Sequence, residues 1–320
     1  MAEPMPAGAR GVAAAFRVVP ALQAARLDEH RIARLRTRPL PERGPVAVLA
    51  GLVVGRVPPG VSVTRHRHGP VPLRVYDPAG SSKRRALVLA LHGGGFVLGS
   101  ARQQDWLHGR LAQDLDAVVV APDYRLAPEH PFPAAVDDCW TALRWAVDNA
   151  HDLGADASRL CLVGESAGAN LAAVTCRRAV DEGVPVAHQA LLYPPVDLTE
   201  GPAATRSYAE HGDAAIGSAA ALRWFRDAYL GPDGDPADPR CSPALADVAG
   251  LPPTLVLLAG HDPLRDAAAS YADALAAAGT RVLVVDHPGM PHGFLGFPGL
   301  ARDARAAVRA VVADAARALA

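Results

Sequence analysis

The chain has 320 residues, half of them hydrophobic and a fifth charged, with a formal net charge of −1. That length and apolar content suit one large α/β domain or two small ones, with a sizeable core, and exclude global disorder. A charge near zero gives no footing for nucleic acid or an anionic membrane as partner, and no apolar run approaches the ~18 residues a membrane span requires.

Residues 1–60 are Ala/Arg-rich with helical periodicity around "ALQAARLDEHRIARLR", then Pro-rich. An early acid and proline, and Arg17 inside the one apolar run, make the start a poor signal peptide. From residue 61 the pattern becomes regular. "VSVTRHRH" and "VPLRVYD" flank His68-Gly69-Pro70 and predict a hairpin. "RRALVLALHG" is an apolar run too short for a helix and reads as a buried strand. A helix over 102–115, the strand "DAVVVAPDYR" and the amphipathic helix "PAAVDDCWTALRWAVDNA" follow. Next come the strand "RLCLVGES", a small-residue helix to about 182 and the strand "AHQALLYPP". Residues 200–250 break the alternation with a helix, "SAAALRWFRDAYL", and a Gly/Asp/Pro-rich loop, too long an excursion for a simple crossover. "PPTLVLLAGHD" and "TRVLVVDHPG" are two more strands, separated by "RDAAASYADALAAAG", and "ARDARAAVRAVVADAARALA" closes the chain as a helix. The expected fold is about eight strands, mostly parallel, flanked by helices, with the hairpin antiparallel at one edge.

Cys139, Cys161, Cys176 and Cys241 show no CxxC or Cys/His ligand spacing. They read as buried free thiols in a reducing, cytoplasmic protein, and no metal site is expected.

The chemistry starts at "CLVGESAGANLAA", residues 161–173, where a strand runs into a helix with almost no loop. Gly164 and Gly168 clear the crowded apex, and the strained residue between them is Ser166. A serine hydroxyl is a weak nucleophile until it has a base, a group that orients the base, and donors for the oxyanion. Ligands bind at the carboxyl ends of parallel strands, so the partners belong there. "LHGGGFVLGS" follows the third strand, and its glycines let backbone N–H groups approach a ligand. The chosen donors are Gly94, Gly95 and Ala167, with Gly93 a further candidate; losing one such donor costs ~2.7–4 kcal/mol. In "LLAGHDPLRD", Asp262 stands at the strand terminus and also suits a helix N-cap, while Asp266 reads as loop support. Among twelve histidines, His292 in "GMPHGFLGF" lies after the final strand at the carboxyl edge; His287 and His261 are weaker alternatives. The order Ser166, Asp262, His292 is that of α/β-hydrolases.

These blocks resemble the hormone-sensitive-lipase-like α/β-hydrolases, the HGGG-type bacterial family IV of carboxylesterases and lipases. The resembling residues are "HGGGF" at 92–96, "DYRLAPEHPFPAAVDD" at 123–138, "GESAGANLA" at 164–172, "DPLRD" at 262–266 and "HGF" at 292–294, spread over roughly residues 70–320. The resemblance implies a catalytic domain over 61–320 and a helical cap built from the N-terminal segment 1–60 and the insertion at about 200–250. It implies the same triad and oxyanion residues, an acyl-enzyme mechanism and no cofactor. The 123–138 block is then a structural floor of prolines and charged contacts. The expected substrate is a small, short-acyl carboxylic ester. An aromatic content of 5% and the lack of a long apolar lid helix speak against a true lipase. The alternatives are an amidase or deacetylase of a secondary metabolite on the same triad, or a non-catalytic ligand receptor on this fold. Relatives often pair through the last strand, which implies a homodimer.

Overall fold

Apolar runs too short for helices become the strands of one eight-stranded sheet in a computed structural model that describes residues 3–18, 32, 36, 45–80 and 84–320. The strands are β1 (Val61–His68), β2 (Val71–Pro78), β3 (Arg85–Leu91), β4 (Ala117–Pro122), β5 (Ala155–Glu165), β6 (His188–Leu192), β7 (Thr254–His261) and β8 (Val282–Pro291). Their order across the sheet is β1-β2-β4-β3-β5-β6-β7-β8. The predicted hairpin pairs Val61 with Pro78 through His68 with Val71, and β2 runs antiparallel to β4. All other pairs are parallel.

The helices are α1 (Ala7–Val18), α2 (Pro45–Val54), α3 (Asp105–Leu115), α4 (Ala134–Asp148), α5 (Ala167–Asp181), α6 (Arg206–His211), α7 (Ala219–Leu230), α8 (Arg265–Ala277) and α9 (Asp303–Ala318). The sequence-predicted helix centred on 21–36 lies almost wholly outside the described residues, as does much of segment 1–60; Ile32 and Arg36 are helical. The helix predicted from residue 102 starts as a 3-10 turn, Ala101–Gln104, before α3.

The period-two alternation of a strand sorts the core into two layers. Leu87, Leu89 and Leu91 of β3 pack with Leu143 of α4, Leu171 of α5 and Leu275 of α8. Ala86, Val88 and Ala90 point the other way, into a layer with Leu111 of α3 and Val308 and Val311 of α9. Central strands are covered on both faces, so they read as continuous apolar runs. Each fully buried Leu or Val contributes about 1.5–3 kcal/mol.

The segment between β6 and β7 carries α6, which the sequence pattern did not predict, and α7, which it did. Ser218 caps α7 by accepting from the Ala221 N–H at 3.3 Å. Ala221 is buried in a cluster with Ile32, Val97 and Ala127, flanked by Trp224 and Phe225. The insertion therefore packs on the glycine-rich loop after β3. All four cysteines are free and buried. Burial pushes Cys161 and Cys176 up to about 12 and Cys241 to about 11. Among the described residues no helix is long and apolar enough to cross a membrane.

Candidate active site

β5 ends at Glu165 and α5 begins at Ala167, which leaves Ser166 alone at the apex with φ 54° and ψ −122°. A non-glycine residue held there costs on the order of 1–3 kcal/mol, so the surroundings must enforce it. A Cβ at Gly164 would drive into the Gly168 carbonyl, and one at Gly168 into the Leu91 and His92 carbonyls. The bend closes only because both positions lack side chains. The Ser166 N–H donates to Leu192 O at 2.9 Å, and the buried Asn170 amide donates to Pro195 O and Cys241 O, each at 2.7 Å.

Three of the sequence-predicted side chains meet here. Ser166 Oγ lies 2.8 Å from His292 Nε2, and His292 Nδ1 lies 2.7 Å from Asp262 Oδ2. An ionised carboxylate only accepts, so Nδ1 carries the proton and Nε2 accepts from the serine hydroxyl. β8 runs further than predicted, and His292 is the first residue after it. Asp262 is 1% exposed. Its Oδ1 accepts from the Leu264 N–H at 2.9 Å, which closes a short turn before α8 instead of capping that helix directly. Burial pulls the His292 imidazole down. The charge and hydrogen bond of Asp262, with the charge of Glu165, outweigh that and hold it above its ordinary value.

The alternatives are engaged elsewhere. His287 Nδ1 pairs with Asp303 at 2.9 Å, and His261 Nε2 meets Glu3 O at 2.7 Å. Asp266 accepts from the Ser207 N–H at 2.8 Å and ties α6 to α8.

Gly94 and Gly95 take φ values of +124° and +62°, which L side chains rarely adopt, and Val97 and Leu98 N–H groups close the turn onto Gly94 O. Gly94, Gly95 and Ala167 line one cavity of about 630 Å³ with Ser166 and His292; Gly93 is not part of that lining. Phe225 of α7 lies against Gly95. The 123–138 block braces this loop. Asp123 accepts from the Ala101 N–H at 2.7 Å, and Tyr124 Oη donates to His92 O at 2.7 Å. Arg125 forks onto the buried Asp138 at 2.8–3.1 Å. Arg36 donates to Val97 O at 2.8 Å and pairs with Glu129 at 2.7 Å. Among the described residues no group of three or more His, Cys, Asp or Glu is placed to hold a metal ion.

The residue that sequence reasoning passed over is Glu165. It is buried, bonded to Gln104 Nε2 and accepts from Tyr193 Oη at 2.7 Å. Its one local signal is an acid just after the apolar run Leu160–Val163, and nothing nearby in the sequence names its partners.

A family model for the alpha/beta hydrolase fold matches residues 88–296, more than half of the chain. The carboxylic ester hydrolase LipN of Mycobacterium tuberculosis is 46% identical over 235 residues, 71% of this chain and 61% of that protein. This chain thus spans less than two thirds of that relative's length. An ethyl acetate hydrolase of Pseudomonas putida is 38% identical over 73% of this chain and 74% of its own. A hyperthermophilic esterase from Pyrobaculum calidifontis superposes with a TM-score of 0.84 at 35% identity, covering 98% of this chain and 99% of that one. The chain belongs to the α/β-hydrolase family, whose members include the hormone-sensitive-lipase-like carboxylesterases.

Proposed function

We propose that this protein is a carboxylesterase that cleaves small, short-acyl esters through an acyl-enzyme on Ser166. The observation that carries the proposal is the unbroken hydrogen-bond chain from Asp262 through His292 to Ser166. His292 takes the serine proton as Oγ bonds to the ester carbonyl carbon. The carbonyl π pair moves to oxygen, and the N–H groups of Gly94, Gly95 and Ala167 hold that oxyanion. Collapse breaks the C–O bond, and His292 returns the proton to the leaving alcohol. Water then repeats the sequence: His292 takes its proton, its oxygen bonds to the acyl carbon, and Ser166 leaves reprotonated. Asp262 keeps the imidazole in the productive tautomer and faces the imidazolium as it forms.

A cavity of about 630 Å³ suits a small ligand. A relative named for ethyl acetate supports the short-acyl preference. The insertion around α6 and α7, with Ile32 packed on Ala221, serves as a cap over this cavity. Two further elements belong to the proposal: a cytoplasmic location, in keeping with four buried free thiols, and pairing of two copies through β8, which ends the sheet with Val284 exposed. The test is hydrolysis of p-nitrophenyl esters from acetate to dodecanoate. Highest kcat/KM on the shortest acyl groups is expected. A rise that continues past decanoate would overturn the short-acyl assignment.

A further inference from the structure

Glu165 touches three parts of the site at once. Its carboxylate occupies the space a Gly93 side chain would fill, accepts from Tyr193 Oη at 2.7 Å and binds Gln104 Nε2 from the turn before α3. The Tyr193 ring packs on the His292 ring at 4.9 Å between centroids, and Tyr193 holds φ +42°, an unfavourable backbone. A carboxylate this buried is costly unless its charge is used or fully hydrogen-bonded.

We propose that Glu165 is a positioning residue: through Tyr193 and its own charge it sets the orientation and protonation of His292, and Gly93 is a glycine to admit this carboxylate against the oxyanion loop. The groups that face the imidazole are Asp262 after β7, Ser166 at the elbow, Tyr193 after β6 and Glu165 at the end of β5. Asp262 fixes the Nδ1 side. Glu165 adds a second negative charge that bonds neither ring nitrogen, so it favours the imidazolium without competing for Ser166. Burial itself raises the Glu165 carboxyl above its ordinary value, against the Tyr193 and Gln104 hydrogen bonds and the charge of His292. This assignment rests on His292 being the base proposed above.

The test compares wild type, Glu165→Gln and Tyr193→Phe. Glutamine keeps the shape and a hydrogen-bonding oxygen but removes the charge. Phenylalanine keeps the ring and removes one donor to the carboxylate. The readouts are the pH profile of kcat/KM on p-nitrophenyl acetate and the pH titration of the His292 Nδ1–H proton resonance. In Glu165→Gln the acid limb and the resonance midpoint move to lower pH together, by about half a unit or more, and the plateau kcat falls several-fold. In Tyr193→Phe both move the same way by less. If both variants fold and neither readout moves, the assignment is wrong. Should Glu165→Gln fail to fold, Tyr193→Phe decides alone. The resonance needs no turnover, so it separates the two ideas. Wild type that never hydrolyses the ester defeats the esterase proposal, whereas active wild type with unmoved variants defeats only the role of Glu165.

Discussion

The Ser166 hydroxyl and the His292 imidazole, 126 positions apart in the chain, meet at 2.8 Å. Each arrives at the end of a parallel strand, and β6 and β7 lie between those strands in the sheet. If this contact transfers the proton, Ser166→Ala and His292→Ala each lower kcat by roughly 10⁵-fold or more, and the double variant loses little beyond that. Asp262→Asn keeps the shape but no longer fixes the tautomer, and costs about 10⁴-fold. Kinetics on p-nitrophenyl acetate check these, with fluorophosphonate labelling as a second measure. Labelling of Ser166→Ala at the wild-type rate would move the nucleophile elsewhere.

If His292 is the base, its protonation sets the working pH range. Its folded value lies above the ordinary 6.5, since Asp262 and Glu165 outweigh burial. Catalysis needs the neutral base, so kcat/KM should rise with a slope of one through a midpoint above pH 6.5. The same raised value has the opposite consequence for stability. The folded protein binds this proton more tightly than the unfolded chain does, so the contribution is complete below the unfolded value and is lost as pH rises through the folded one. His292→Gln should abolish that loss. Matched denaturant titrations across the limb, wild type against variant, measure it; parallel curves would show that His292 carries no such linkage.

The elbow glycines were legible from spacing because strand-to-helix turns obey one steric rule wherever they occur. The core strands were legible because burial on both faces leaves continuous apolar runs such as Leu87–Leu91. Which histidine would act was weaker in the sequence: His287, His261 and His292 all sit near the same sheet edge, and only the fold shows the first two held by Asp303 and Glu3. Glu165 was hidden for a related reason. Its partners Gln104 and Tyr193 come from distant segments, and no local pattern pairs them. Helix α6 is too short for hydrophobic periodicity to register, and Asp266 fixes it from outside its own segment.

Two glycines separate fold from chemistry. At Gly168 an added Cβ meets only backbone, the carbonyls of Leu91 and His92, so no side chain can swing away. Gly168→Ala should destabilise by about 1–3 kcal/mol or more, as overpacked cores do, and lower the yield of folded protein. At Gly94 the added Cβ meets the Leu98 carbonyl, and the φ of +124° is itself forbidding, so the loop must move. Because this loop borders the cavity, Gly94→Ala should lower kcat by about 10²-fold or more while KM changes little. Thermal melts and steady-state kinetics on both variants test the division. A Gly94→Ala enzyme with normal kcat would remove that N–H from the oxyanion site.

A second histidine–carboxylate pair, His188 with Asp314, carries the opposite pH dependence to the first. His188 at the start of β6 and Asp314 in α9 are both fully buried and meet at 2.9 Å, with Arg281 on the other carboxylate oxygen at 2.8 Å. Burial lowers His188 below its ordinary 6.5 despite Asp314, so the folded state holds it neutral. Asp314 is lowered too: Arg281 and His188 outweigh the burial that would raise it. Both folded values lie below the unfolded ones. Their contributions are therefore present at neutral pH and lost as pH falls, His188 first, from 6.5 downward, and Asp314 only below 3.8. His188→Gln keeps a donor toward Asp314 and cannot titrate. It should cost about 0.5–1.5 kcal/mol at neutral pH and flatten the fall in urea midpoint between about pH 6.5 and about pH 5. His292 works against this trend at higher pH, so the comparison must be variant minus wild type at each pH, not one curve alone. A variant that loses stability on acidification as steeply as wild type would place the acid sensitivity in other groups.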